Sequence, residues 1–202
     1  MYFPDNIPNL YQYDELKVLD CGAFDGDTLR EFEARNPSNI SKYLAIDISS
    51  KNLQSLLSHY NLAPDWLETK QVAIGVPQNS KLIVIENGSS SCIRLVEENN
   101  NEFTDNEVSS TTLANLGKDI LFNVIKVDIE GADYPALKDS IDYIKKSRPT
   151  LALSIYHRPE DLWEIPLLFI SLFTDSYEYY IRNEGHWGYE TIFYAVPKRN
   201  NF

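Results

Sequence analysis

Apolar and polar positions along the chain follow two alternating periods. Short apolar runs, the mark of buried strands, are followed by stretches whose apolar side chains recur at helical spacing. Residues 17–20, 43–48, 71–76, 124–129 and 150–156 predict five strands. A helix over 28–35 carries Leu29 and Phe32 on one face, and the next has Leu53, Leu56, Leu57 and Tyr60 at i, i+3, i+4, i+7, with Ser49 or Ser50 able to cap it. A third helix carries Leu137, Ile141 and Ile144 on one stripe. A fourth carries Leu162, Ile165, Phe169 and Leu172, where Pro166 implies a kink or a fresh helix start. Two last strands, 177–182 and 191–196, flank a polar turn.

One stretch departs from this rhythm. Residues 81–85 read as a strand, Asn87-Gly88 as a tight hairpin turn, and 97–106 as a solvated polar loop. Residues 77–112 are therefore expected to be an excursion within a single domain over 1–202, a length that suits one packed domain. The strand–helix alternation predicts an α/β fold: a mostly parallel seven-stranded sheet, helices on both faces, and a C-terminal antiparallel hairpin. Ligands bind such sheets beyond the carboxyl ends of the strands.

Composition narrows the class. Hydrophobic residues make up 43% of the chain, and no apolar run approaches the roughly 18 residues of a membrane span. No signal peptide is readable, and Cys21 and Cys92 form neither a disulfide framework nor a C-x-x-C pattern, so a cytoplasmic protein is the default expectation. The net charge of −12 repels nucleic-acid phosphates and anionic lipid, and the densest basic stretch, Lys145-Lys146 with Arg148, sits where it complements a helix C-terminus. The expected partner is a small molecule, not nucleic acid or membrane; self-association into a homo-oligomer is left open.

The chemistry starts at the loop Asp20-Cys21-Gly22-Ala23-Phe24-Asp25-Gly26-Asp27, which joins the first strand to the first helix. It lacks the G-x-G-x-x-G dinucleotide fingerprint. A pyrophosphate there would meet Asp20, Asp25 and Asp27, each like-charge contact near 4 Å costing on the order of 4 kcal/mol at an effective dielectric of about 20. A nucleoside bearing an ammonium and a sulfonium, S-adenosylmethionine, suits the loop better. Asp47, ending the second strand with Ile48 beside it, is placed to accept from a ribose diol; its bland alternative is to cap the following helix. Val72 and Ala73, after Gln71, are placed to flank adenine.

The chain resembles the FkbM-type family of S-adenosylmethionine-dependent methyltransferases. The resemblance rests on Tyr2-Phe3-Pro4, on Val18 to Thr28, on Ile125-Lys126-Val127-Asp128-Ile129-Glu130-Gly131-Ala132-Asp133, on Tyr156 to Trp163, and on Glu190 to Pro197. The Asp-x-Glu-Gly block is the most specific of these; in the family it usually ends in Glu, where Asp133 stands here. The resemblance implies a class I methyltransferase (Rossmann-like) fold and methyl transfer, commonly to a hydroxyl of a sugar or secondary metabolite. Little chain precedes the glycine loop, so a cover for the cofactor is expected from a longer parent protein or another subunit.

Methyl transfer from a sulfonium is an in-line displacement that needs alignment and a base for the hydroxyl proton. The candidates are Asp128, Glu130 and His157. On a regular strand Asp128 and Glu130 would share a face. The reading makes Asp128 or His157 the base and Glu130 the orienting group; the alternatives are a loop-binding Asp128, a helix-capping Glu130 and a structural His157. His186, beside Trp187, is a weaker candidate for acceptor contact. Asp128, Glu130, Asp133 and His157 are oxygen-rich, but their spacing requires no metal and none is assigned. Two rivals stand beside this reading: an NAD-dependent nucleotide-sugar reductase or epimerase, and a non-catalytic domain that keeps the cofactor pocket.

Overall fold

The computed structural model describes residues 2, 4, 7, 13–35, 39–78, 80–87, 90–95, 107–183, 185 and 190–198. Ten strands are assigned in chain order: β1 (Leu16–Cys21), β2 (Ile40–Asp47), β3 (Leu67–Gln71), β4 (Lys81–Asn87), β5 (Ser90–Leu95), β6 (Glu107–Ser109), β7 (Val124–Val127), β8 (Thr150–Ser154), β9 (Tyr177–Asn183) and β10 (Thr191–Pro197). The helices are α1 (Asp27–Arg35), α2 (Ser50–Leu57), α3 (Leu113–Leu116), α4 (Asp133–Lys138), α5 (Ile141–Ser147) and α6 (Asp161–Phe173).

Seven strands make one sheet in the order β3-β2-β1-β7-β8-β10-β9. β10 pairs antiparallel with both β8 and β9, so it alone runs against the other six. Both faces are apolar, which is why the central strands read as continuous hydrophobic runs. Leu19, Cys21, Leu44, Ile46, Ile125, Val127, Leu151 and Leu153 form a core with residues of α3 to α6. Their alternate neighbours Val18, Tyr43, Ala45, Val124 and Ala152 join Leu29 and Phe32 of α1 and Leu56 of α2 on the opposite face. The class I methyltransferase arrangement expected from the sequence is thus the fold observed.

Several boundaries differ from the sequence reading. The third strand is Leu67–Gln71, not 71–76. It lies at the sheet edge, where Glu68, Lys70 and Gln71 stay exposed, so it needs no apolar alternation; buried Val72, Ala73 and Ile74 belong to the segment past its end. The fourth strand stops at Val127 and the fifth at Ser154. The single helix expected after β7 is two, α4 and α5, divided at Asp139–Ser140. Helix α6 runs from Asp161 to Phe173 with Pro166 inside it. Ser49 is the cap of α2, accepting from Asn52 N at 3.4 Å.

The excursion builds its own antiparallel sheet, β5-β4-β6. Asn87 pairs with Ser90, leaving Gly88 of the expected turn, and the polar loop 97–106, outside the described residues. It is tied to the main body at Ala73, whose N–H donates to Ser109 O (2.9 Å) and whose carbonyl accepts from Thr111 N (2.9 Å). Among the described residues, no helix is long and apolar enough to cross a membrane.

Candidate functional site

The carboxyl ends of β1, β2 and β7, with the loops that follow β7 and β8, surround a cleft of about 710 Å³. The glycine loop forms its floor. Gly22 N and Ala23 N donate to Ile46 O at 2.9 and 3.0 Å, folding the loop over β2. Gly22 has φ +78° and a Cβ there would lie 1.8 Å from Asp128 O; Gly26 has φ +86° and its Cβ would meet Leu56 Cγ at 2.8 Å. Both positions therefore require glycine.

Only part of the loop reaches the cleft. Gly22, Phe24 and Asp27 line it, while Asp20, Cys21, Ala23, Asp25 and Gly26, all placed at the cofactor by the sequence reading, do not. Asp20 lies beneath the loop, fully buried: it pairs across the ladder with Lys126, whose Nζ is 3.1 Å away, and accepts from Tyr43 Oη at 2.7 Å. Burial would depress the Lys126 ammonium, but Asp20 and then Asp128 raise it above its ordinary value. Lys126 Nζ also donates to Gly22 O (2.6 Å), so the buried pair anchors the loop from below. Cys21 and Ala23 face the core, and Asp25 turns to Arg30 at 2.9 Å. Asp20 and Asp25 thus carry paired charges, and the acidity of the cleft comes instead from Asp27, Asp47, Asp128, Glu130 and Glu190. Among the described residues lining it, Lys126 is the one cation, and it is committed to Asp20 and Gly22.

Of the two roles weighed for Asp47, the capping one is visible in its contacts. Its Oδ1 accepts from Ser49 N (2.8 Å) and Asn52 Nδ2 (3.2 Å), fixing the start of α2; its Oδ2 accepts from Phe24 N (2.9 Å), pinning the glycine loop. Of roughly four lone-pair sites on a carboxylate, three are filled and one on Oδ2 is left for a ligand. Ile46, Ile48, Val72, Ala73 and Ile74 make an apolar wall beside it.

On the opposite side, Asp128 and Glu130 line the cleft and His157 stands directly behind them. Strand alternation is not what brings the carboxylates together. β7 ends at Val127, and Glu130 has left-handed backbone (φ +55°) in the loop that follows. The convergence is on His157, whose Nε2 is 3.0 Å from Asp128 Oδ1 and 3.8 Å from Glu130 Oε2. His157 Nδ1 meets Asp133 Oδ2 at 3.2 Å. Asp133 is fully buried and also accepts from Ile129 N (3.2 Å) and Gly131 N (3.0 Å), so it holds both the imidazole and the loop. No side chain caps α4, which leaves Glu130 without that duty.

These contacts bear directly on the expected role of His157. Burial would lower its pKa, but hydrogen bonds to Asp128 and Asp133 push it up to about 10. Both ring nitrogens face carboxylate oxygens, an arrangement that favours the imidazolium at neutral pH and tells against His157 as the base. Asp128 is disarmed by the same network. Burial would raise its carboxyl, yet bonding from His157, the Lys126 charge and the Tyr2 hydroxyl hold it well below the usual carboxylate range. Glu130, with 60% of its side chain exposed, is the carboxylate of this group open to a ligand.

Sequence reasoning missed Tyr2, Asn52, Lys126 and Tyr156. The Tyr2 hydroxyl donates to Asp128 Oδ2 and lies 3.2 Å from Ser154 Oγ, and the ring stacks under Lys126 Nζ at 4.8 Å. Its backbone N–H reaches Glu31 Oε2 (3.0 Å) and its carbonyl accepts from Tyr194 Oη (2.9 Å). Tyr2 thereby supplies part of the wall of the cleft. Tyr156 packs its ring on His157, centroids 4.3 Å apart. A lone lysine within the apolar run 124–129 was the available signal for Lys126; Tyr2 was marked only within the Tyr2-Phe3-Pro4 stretch of the resemblance, with no site role attached. His186 lies outside the described residues.

A family model, the methyltransferase FkbM domain, matches residues 20–189. In structure the chain is similar to the methyltransferase FkbM from Methylobacillus flagellatus KT, with 22% identity and a TM-score of 0.67, over 91% of this chain and 44% of that one. It is also similar to an rRNA methylase from Streptococcus thermophilus, with 12% identity and a TM-score of 0.53 over 92% of this chain and 89% of that one. A human methyltransferase 10 domain containing protein shows 11% identity and a TM-score of 0.54, over 91% of this chain and 72% of that one. At these identities the likeness is one of fold, and the chain spans less than half the length of the first of them. No curated protein sequence matches the chain.

Proposed function

The chain belongs to the methyltransferase FkbM family, and from that premise we propose that its cleft binds S-adenosylmethionine and that it methylates a hydroxyl of a saccharide or secondary metabolite. The observation that carries the reading is the cleft's division into two unlike halves: an apolar wall with a partly free carboxylate, and an acidic, hydrogen-bonded cluster.

The first half fits the cofactor. Ile48, Val72 and Ala73 would flank the adenine, Asp47 and Asn52 would hold the ribose, and Gly22, Phe24 and Asp27 would face the charged amino-acid end. With five carboxylates and one committed lysine among the described residues lining the cleft, a phosphate-free cation is favoured over a dinucleotide. When bound, the cofactor supplies an electrophilic methyl group on a sulfonium. Everything else falls to the protein's own side chains. Glu130 takes the hydroxyl proton. Asp128, fixed by Tyr2 and His157, accepts a hydrogen bond that orients the acceptor. Tyr2 and Tyr156 wall the site against water.

The acceptor is small, since a net charge of −12 disfavours a nucleic acid despite the structural likeness to an rRNA methylase. Calorimetric titration with S-adenosylmethionine and with NAD, followed by an assay of S-adenosylhomocysteine release against a panel of sugars and small alcohols, tests the proposal. Binding of the sulfonium cofactor and release with at least one hydroxyl acceptor are expected. Tight NAD binding without S-adenosylmethionine binding overturns the reading, and cofactor binding without turnover on any acceptor favours a non-catalytic domain.

A further inference from the structure

β9 ends the main sheet, and among the described residues nothing pairs with its outer side. The Ile181 carbonyl there accepts from its own Arg182 Nη1 at 2.8 Å, so the odd-numbered residues of β9 present their backbone groups outward. The same margin carries apolar surface. Tyr179 Oη donates to Phe169 O of α6, and the Tyr177 ring packs edge-on against Phe173, so β9 runs antiparallel beneath α6 and brings Ile181 toward its first turns. Ile181 is 52% exposed. On α6, beside the buried row of Ile165, Phe169 and Phe173, the residues Trp163, Leu167 and Ile170 stand at i, i+4, i+7, exposed by 52, 59 and 42%.

We infer that this margin is the contact between two copies of the chain, joined by antiparallel pairing of β9 with β9 about a two-fold axis through Tyr180. The charges select a second copy as the occupant. A two-fold at Tyr180 sets Glu178 opposite Arg182 of the second copy and Arg182 opposite its Glu178, so opposite charges meet twice. The same register pairs Tyr179 with Ile181 of the second copy, both outward-presenting, which is the condition for a hydrogen-bonded antiparallel pair. It lays the two α6 stripes on one face of a continuous sheet, covering Trp163, Leu167 and Ile170. Arg182 exchanges the Ile181 carbonyl for the facing carboxylate. An unpaired edge flanked by apolar surface is otherwise a liability that proteins cover.

Analytical ultracentrifugation of the full chain over a concentration series tests this independently of any methyl transfer. A monomer–dimer equilibrium is expected. Glu178→Arg, which sets arginine against arginine twice, raises the dimer dissociation constant by about tenfold or more; combining it with Arg182→Glu restores the dimer. Leu167→Glu on the helix stripe yields monomer with an unchanged circular dichroism spectrum. A monomer at every concentration overturns the inference, as does a dimer indifferent to Glu178→Arg and Leu167→Glu, or one that the double charge swap fails to recover.

Discussion

Glu130 and Asp128 flank one imidazolium, yet their surroundings give them opposite duties. Glu130→Gln is expected to lower kcat by about a hundredfold or more while leaving S-adenosylmethionine affinity within a factor of two of the parent, the signature of a lost general base; calorimetry beside turnover measurement checks both. Asp47→Asn should act the other way, weakening cofactor binding by about tenfold or more through the loss of a charged hydrogen-bond acceptor. His157 carries a pH signature. Its pKa is near 10 in the folded protein against an ordinary 6.5, so its stabilising contribution is complete below about pH 6.5 and disappears as pH rises through 10. Thermal unfolding from pH 6 to 10 should show this decline, and His157→Ala should flatten it. That variant leaves Asp128 and Asp133 without their cation, costing about 3 kcal/mol, or roughly 6–12 °C in Tm. The convergence of Asp128, Glu130 and His157 was readable because strand ends of a parallel sheet share one rim. Their protonation was not, because it depends on contacts with Tyr2, Lys126 and Asp133 whose geometry only the folded chain supplies.

The elements that position the site are held by close approaches rather than by helix or strand propensity. The β1–α1 connection is the sharpest case. Gly22→Ala would combine left-handed backbone with a Cβ 1.8 Å from the Asp128 carbonyl, at a cost of about 2–6 kcal/mol from backbone strain plus overpacking. A lowered thermal midpoint together with lost cofactor binding is the expected outcome. Element existence was legible wherever both sheet faces are covered, since burial on both sides writes an uninterrupted apolar run such as Val18-Leu19 or Leu151-Ala152-Leu153. It was misread at β3, an edge strand whose polar sequence carries no such run, and along α4 and α5, where one continuous stripe spans two helices broken at Asp139–Ser140. The loop's acidity was real in sequence and misplaced in space: Asp20 and Asp25 spend their charges on Lys126 and Arg30.

Across the whole molecule, the strand count and the antiparallel finish follow from the alternation of periods, whereas the insertion of β7 beside β1 depends on long-range pairing that a local pattern does not encode. The same distances bear on Tyr2. Its partners Asp128, Ser154 and Tyr194 lie 126, 152 and 192 residues further along the chain. Closing loops of that length is entropically slow and is rewarded only once the sheet exists. Refolding should therefore pass in two stages, with far-ultraviolet dichroism recovering before the ability to bind S-adenosylmethionine, and stopped-flow traces of the two signals should separate. In Tyr2→Ala the lag should vanish, because the last wall no longer has to arrive: a single tyrosine sets the clock by which the cleft is finished.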